Sequence, residues 1–151
     1  MAQGKLQEFF REKKSKADPG DVDWEAKRDQ WIRAVEKLYQ QIEKFLAKSI
    51  KEKTVAVSRR PKQFAEDFIG GYTIDDLVLQ VGDESVVFSP KGTLIVGASG
   101  RVDVRGDMGD VTLVRQPGDR WSVVAARTPA LKLIPLNEDS LLTALEKVMR
   151  P

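Results

Sequence analysis

Acidic side chains gather at the turns of the second half of the chain, at Asp75, Asp76, Asp83, Asp103, Asp107, Asp110 and Asp119. Paired carboxylates can cleave glycosides or hold a hard cation when their spacing is fixed and each has an orienting partner. Here nearly all sit beside Gly or Pro, where Asp stabilises turns by bonding nearby backbone, and no spacing recurs. Asp103 differs. It lies between Val102 and Val104 in a strand pattern, and it should face solvent if those valines face the core. The chain has no His and no Cys, so the commonest general base, the thiol nucleophile and the usual metal ligands are all missing.

Two further motifs are more economically turns than sites. Gly97-Ala98-Ser99-Gly100 lacks the helix that a phosphate-cradling loop needs behind it, because Arg101-Val102-Asp103-Val104 continues as strand. Arg105-Gly106-Asp107 is an adhesion signal outside cells, but it sits where a hairpin turn is expected. No catalytic, cofactor-binding or metal-binding residue is assigned, and the expectation is a protein that is not an enzyme and carries no cofactor.

What remains is binding chemistry. Arg11, Lys13, Lys14 and Lys16 form one basic cluster, and Arg59, Arg60 and Lys62 form another; the second is the candidate anion-binding site. Neither is interleaved with aromatics that would stack on bases. Trp24, Trp31, Val35, Leu38 and Ile42 recur mostly at alternating steps of four and three, the seam of a long packed helix. They are the candidate protein interface.

The elements that would position these residues are legible from periodicity. Leu6, Phe9 and Phe10 mark an amphipathic helix from about Lys5 to Lys16, Asp18-Pro19-Gly20 breaks it, and Asp21 or Asp23 can cap the next. That second helix should run from about Trp24 to Glu52 and span about 43 Å. This is more than a small sheet readily covers, so part of the seam is expected to meet a second copy or another protein.

From Thr54 the period changes to two. A first strand at Thr54–Val57 should end at Arg59-Arg60-Pro61-Lys62, followed by a connector with at most a short helix over 62–70. Turn signals then recur every 8 to 11 residues, leaving strands at Leu77–Val81, Ser85–Phe88, Thr93–Ala98, Val102–Arg105, Val111–Arg115, Trp121–Ala126 and Leu131–Leu136. Such spacing leaves no room for crossover helices, so neighbours pair antiparallel. Asn137-Glu138-Asp139-Ser140 caps a last helix whose Leu141, Leu145 and Val148 share a face.

The expected fold is therefore α+β in a single domain over 1–151: a helical segment over 1–52, a 7–8 stranded antiparallel β-meander over 53–136 forming a strongly curved sheet or barrel, and a C-terminal helix over 137–150. No family motif is recognised. In element order alone the strands and final helix are similar to a pleckstrin-homology-like barrel.

Hydrophobic residues make up 41% and charged residues 32% of the 151 residues, a composition that folds and stays in water. The opening Met1–Leu6 lacks the apolar core of an export signal and no run reaches bilayer length, so a cytoplasmic protein without a transmembrane segment is expected. The net charge of +2 hides an asymmetry: residues 1–62 carry 16 Lys/Arg against 10 Asp/Glu, and residues 63–151 carry 9 against 13. The leading expectation is a protein-interaction or accessory module acting through its N-terminal helices on a protein partner, including a second copy as a homodimer. The alternative is binding of nucleic acid or acidic lipid through the basic clusters.

Overall fold

The computed structural model describes residues 2–17, 23–92 and 100–151, with side chains described from residue 4 to 11 in the first of these stretches. Among the described residues, four helices and seven strands follow the order α1 (Ala2–Ala17), α2 (Trp24–Phe45), α3 (Ala47–Lys51), β1 (Ala56–Glu66), β2 (Gly70–Val81), β3 (Glu84–Gly92), β4 (Arg101–Gly106), β5 (Gly109–Gln116), β6 (Arg120–Ala126), β7 (Lys132–Pro135) and α4 (Glu138–Val148). The predicted strand Thr93–Ala98 and the break at Asp18-Pro19-Gly20 lie outside the described residues.

The strands form one antiparallel meander in the order β1-β2-β3-β4-β5-β6-β7. Among the described residues the sheet neither closes nor curls strongly, so the expected strongly curved sheet or barrel gives way to an open sheet with β1 and β7 as its two edges. Its apolar side is covered by helices instead, which removes the need to bury that side by wrapping round. Leu77 opposes Phe88, which opposes Val104, which opposes Val111; Val102 opposes Leu113, which opposes Val123. Onto this face α2 brings Trp31, Val35, Leu38 and Ile42, and α4 brings Leu141, Ala144 and Val148, all in one buried cluster.

Strand β1 is longer than the sequence pattern implied. Pro61 does not end it but pairs with Asp75 in an unbroken ladder from Ala56 to Glu66. An edge strand tolerates proline because its outer N–H groups have no partner to lose. The predicted connector over 62–70 is instead the end of β1, a turn with Phe68 at φ +69°, and the start of β2.

Along β2 the side that feeds the apolar core switches between Ile74 and Leu77: Tyr72 and Ile74 are buried in it, then Leu77 and Leu79. The two halves of the β1–β2 hairpin therefore turn opposite sides to the core. Its far end clasps the start of α2, where Phe68 stacks on Trp24 with ring centroids 5.4 Å apart.

Helix α2 opens at Asp23, whose side chain accepts from the Ala26 N–H at 3.0 Å. It stops at Phe45, short of the expected Glu52, because the backbone relaxes at Leu46 (φ −94°, ψ 2°) before α3. Its 22 residues span about 33 Å, which the sheet does cover. Lys53 (φ +64°) then takes the left-handed conformation that ends a helix, with the Thr54 N–H returning to the Ser49 carbonyl at 3.1 Å. At the other end of the chain, Asn137 and Ser140 cap α4 reciprocally.

Candidate functional site

The seam residues lie where the helical period places them, on one side of α2, but the chain's own sheet covers that side. Trp31, Val35, Leu38 and Ile42 are 0 to 2% exposed. Trp31 packs near Trp121, with ring centroids 6.0 Å apart, and against Gly100, where even a methyl group would meet the indole at 2.1 Å. These four residues form the core rather than an available surface. Trp24 is half-buried, between the Phe68 ring and the Lys27 ammonium, which lies 5.4 Å from its centroid.

The cluster Arg59, Arg60 and Lys62 does not make one patch, because β1 alternates through it. Arg59 points to the helix side. It donates to Glu36 and Glu43 of α2 and lies 5.1 Å over the Tyr39 ring. Burial alone would pull the Arg59 guanidinium down, but its bonds to the two glutamates outweigh this and hold it above its ordinary value.

Arg60 and Lys62 point to the opposite side of the sheet, and Asp76 sits between them. Arg60 Nη2 reaches Asp76 Oδ2 at 3.4 Å, and Lys62 Nζ stands 3.0 Å from Asp76 Oδ1 in a charge contact rather than a directed hydrogen bond. Lys62 Nζ also donates to Ser89 Oγ at 2.7 Å and to the Pro90 carbonyl at 2.8 Å. Three acceptors thus surround Lys62, whereas the Arg60 side chain remains 64% exposed. Of the three predicted anion-binding residues, only Arg60 is presented to solvent in this way.

Asp103 faces away from the core as the alternation implied, yet it is 3% exposed. Arg101, two residues before it, folds over it with Nε at 2.7 Å and Nη2 at 3.2 Å. Those bonds hold the Arg101 guanidinium above its ordinary value. Among the described residues no three acidic side chains converge as a metal-ligand set, and no helix is long and apolar enough to cross a membrane.

Two surface features stand apart from these residues. Leu6, Phe9 and Phe10 of α1 are 51 to 58% exposed, and their spacing puts them on one helix face. Of the first basic cluster, Arg11 is exposed, and the side chains of Lys13, Lys14 and Lys16 lie outside the described residues. A groove of about 270 Å³ between α4 and strands β5 to β7 is lined mainly by Val111, Val123, Ile134 and Ala144, with Asp139 and Lys147. In comparisons with known proteins the chain has no significant match to a family model, a curated protein or a solved structure.

Proposed function

We propose that this chain is a non-enzymatic interaction module that engages a protein partner through α1, with the sheet, α2 and α4 as its base. The observation that carries the reading is the exposure of Leu6, Phe9 and Phe10 on one face of α1. Burying large apolar side chains is worth roughly 1.5–3 kcal/mol each, so three on one face are enough to anchor a helix in a groove. The spacing i, i+3, i+4 is how a helix presents such anchors.

Charge narrows the partner's character. Within α1, Lys5, Arg11, Lys13, Lys14 and Lys16 outnumber Glu8 and Glu12, so the complementary surface is an apolar groove with an acidic rim. The contact moves from the α2 seam, which is occupied, to the helix before it.

The test compares the full-length chain with Leu6→Asp/Phe10→Asp, captured side by side from the native host after nuclease treatment. A stoichiometric protein partner retained by the parent and lost by the variant, at unchanged thermal stability, supports the reading. Identical recovery by both would sink it. If the recovered partner is untagged copies of the same chain, the module is a homodimer, and sedimentation of the two purified proteins will differ in the same sense.

A further inference from the structure

On the side of β3 to β5 turned away from α2 and α4, continued onto the part of the β1–β2 hairpin next to β3, a transverse polar row is drawn from five strands; beyond Asp76 the same side of the hairpin carries Ile74 and Tyr72 into the core. Arg60 opposes Asp76 across β1 and β2, Ser89 opposes Asp103 across β3 and β4, and Asp103 opposes Thr112 across β4 and β5. The register that sets Leu77 against Phe88 brings Asp76 alongside Ser89 and joins the two halves. Asp76, Ser89, Asp103 and Thr112 are only 3 to 9% exposed. Cations cover them: Lys62 reaches Asp76 and Ser89, Arg101 folds over Asp103, and Arg127 Nη2 donates to Thr112 Oγ1 at 3.0 Å.

The acids in this row are too few to neutralise the cations. Alternation along β4 puts Arg101 and Arg105 on the Asp103 side, and the outward cations from β1 to just past β6 are Arg60, Lys62, Arg101, Arg105, Arg120 and Arg127, apart from Lys91 at the bulge in β3. Against them stand Asp76, Asp103, Asp110 and Glu66, whose carboxylate accepts from the Tyr72 hydroxyl and lies over Gly92, the partner of Arg101, so the cations exceed the acids by two. Lys62 is enclosed by acceptors, but Arg60, Arg105, Arg120 and Arg127 are exposed.

We propose that this face binds double-helical nucleic acid through its phosphates, independently of sequence. Strands lie about 4.8 Å apart, so a row across five of them covers about 19 Å, the length of several phosphates at about 3.4 Å per step of one strand. The cations are spread along that length rather than converging on a point, which suits a polymer better than a single phosphate. Asp103 holds the Arg101 guanidinium by two of its N–H groups, and Thr112 holds that of Arg127 by one. Guanidinium groups fixed in this way lose less freedom when they meet an anion.

The same face disfavours two other partners. Binding of single strands draws on exposed aromatic platforms; the row has none, and the nearest ring on this side, Phe64, is half-buried between Lys62 and Tyr72. Peripheral membrane binding adds inserted apolar side chains to its charges, and the large exposed ones among the described residues lie on α1, at hairpin turns, in or beside β7 and on α4 rather than in the row.

The test is fluorescence anisotropy of the full chain with a labelled mixed-sequence duplex, a single strand of the same length, and vesicles containing phosphatidylserine. The parent should bind the duplex at low salt with steep salt dependence. Arg60→Gln/Arg105→Gln/Arg127→Gln should bind at least about tenfold more weakly, with a log–log salt slope shallower by about 2.7 for three lost phosphate contacts. Lys44→Gln/Lys48→Gln/Lys51→Gln, which removes the same charge from α2 and α3, should bind like the parent. Thermal unfolding of all three proteins confirms that they are folded. Absence of duplex binding by the parent, binding confined to single strands or vesicles, or equal losses in the two variants would each overturn the proposal.

Discussion

Tyr39 shows how a single hydroxyl joins helix and sheet. It is fully buried on α2, and its O–H is shared between the Asp75 carbonyl at 2.6 Å and the Phe88 carbonyl at 3.2 Å. Burial, reinforced by the charge of Asp76, pushes its ionisation well above the usual phenol range. Tyr72 is raised in the same direction, by burial and then by its bond to Glu66. Because the folded state keeps these protons longer than the unfolded chain, the stability they confer is intact below the ordinary value of about 10 and is lost as pH climbs above it. Tyr39→Phe should cost about 1–2 kcal/mol near neutrality by leaving the two carbonyls without their donor. It should also flatten the alkaline fall in stability by up to about 1.4 kcal/mol per pH unit. Denaturant unfolding at several alkaline pH values checks both; an unchanged alkaline slope would mean that Tyr39 ionises freely in the fold.

At the scale of the element, alternation along β1 gives adjacent arginines different work. Arg59 ties the strand to Glu36 and Glu43 on α2, while Arg60 lies on the far side with its side chain 64% exposed. Arg59→Ala should therefore destabilise by about 1–2 kcal/mol, given two partly buried charge contacts and the Tyr39 ring beneath it. Arg60→Ala should stay within about 0.5 kcal/mol, as surface substitutions usually do. Equal effects in chemical unfolding would contradict the assigned alternation. The sequence pattern read these residues as one cluster because it ended the strand at Pro61, a rule that holds for central strands and not for an edge. The α2 seam was fully legible as a period, but a period does not say which chain covers it, and the helix's early relaxation at Leu46 carries no Pro or Gly to announce it. Asp103 is expected to face solvent and does lie on the side away from Val102 and Val104, but it is buried because Arg101 folds over it, which no spacing reveals. The core strands from Leu77 to Val123 were legible because alternation and turn residues agree there.

For the whole molecule, charge and packing divide the chain at different places. Residues 1–62 are basic and residues 63–151 acidic, yet the buried cluster draws on α2, α4 and the sheet together and takes nothing from the described side chains of α1. Deleting residues 2–17 should accordingly leave the thermal transition within about 2 °C of the parent, since roughly 1 kcal/mol corresponds to a shift of 2–4 °C at this chain length. The deletion removes five basic and two acidic residues and takes the formal net charge from +2 to −1. It should abolish partner capture through Leu6 and Phe10. Duplex binding should persist close to the parent's, as for the α2 and α3 lysine variant that removes the same charge, and should still respond to Arg60→Gln/Arg105→Gln/Arg127→Gln. A large fall in melting temperature would instead make α1 part of the folded body, and duplex binding insensitive to those three arginines in the shortened chain would place the phosphate contacts elsewhere on the surface.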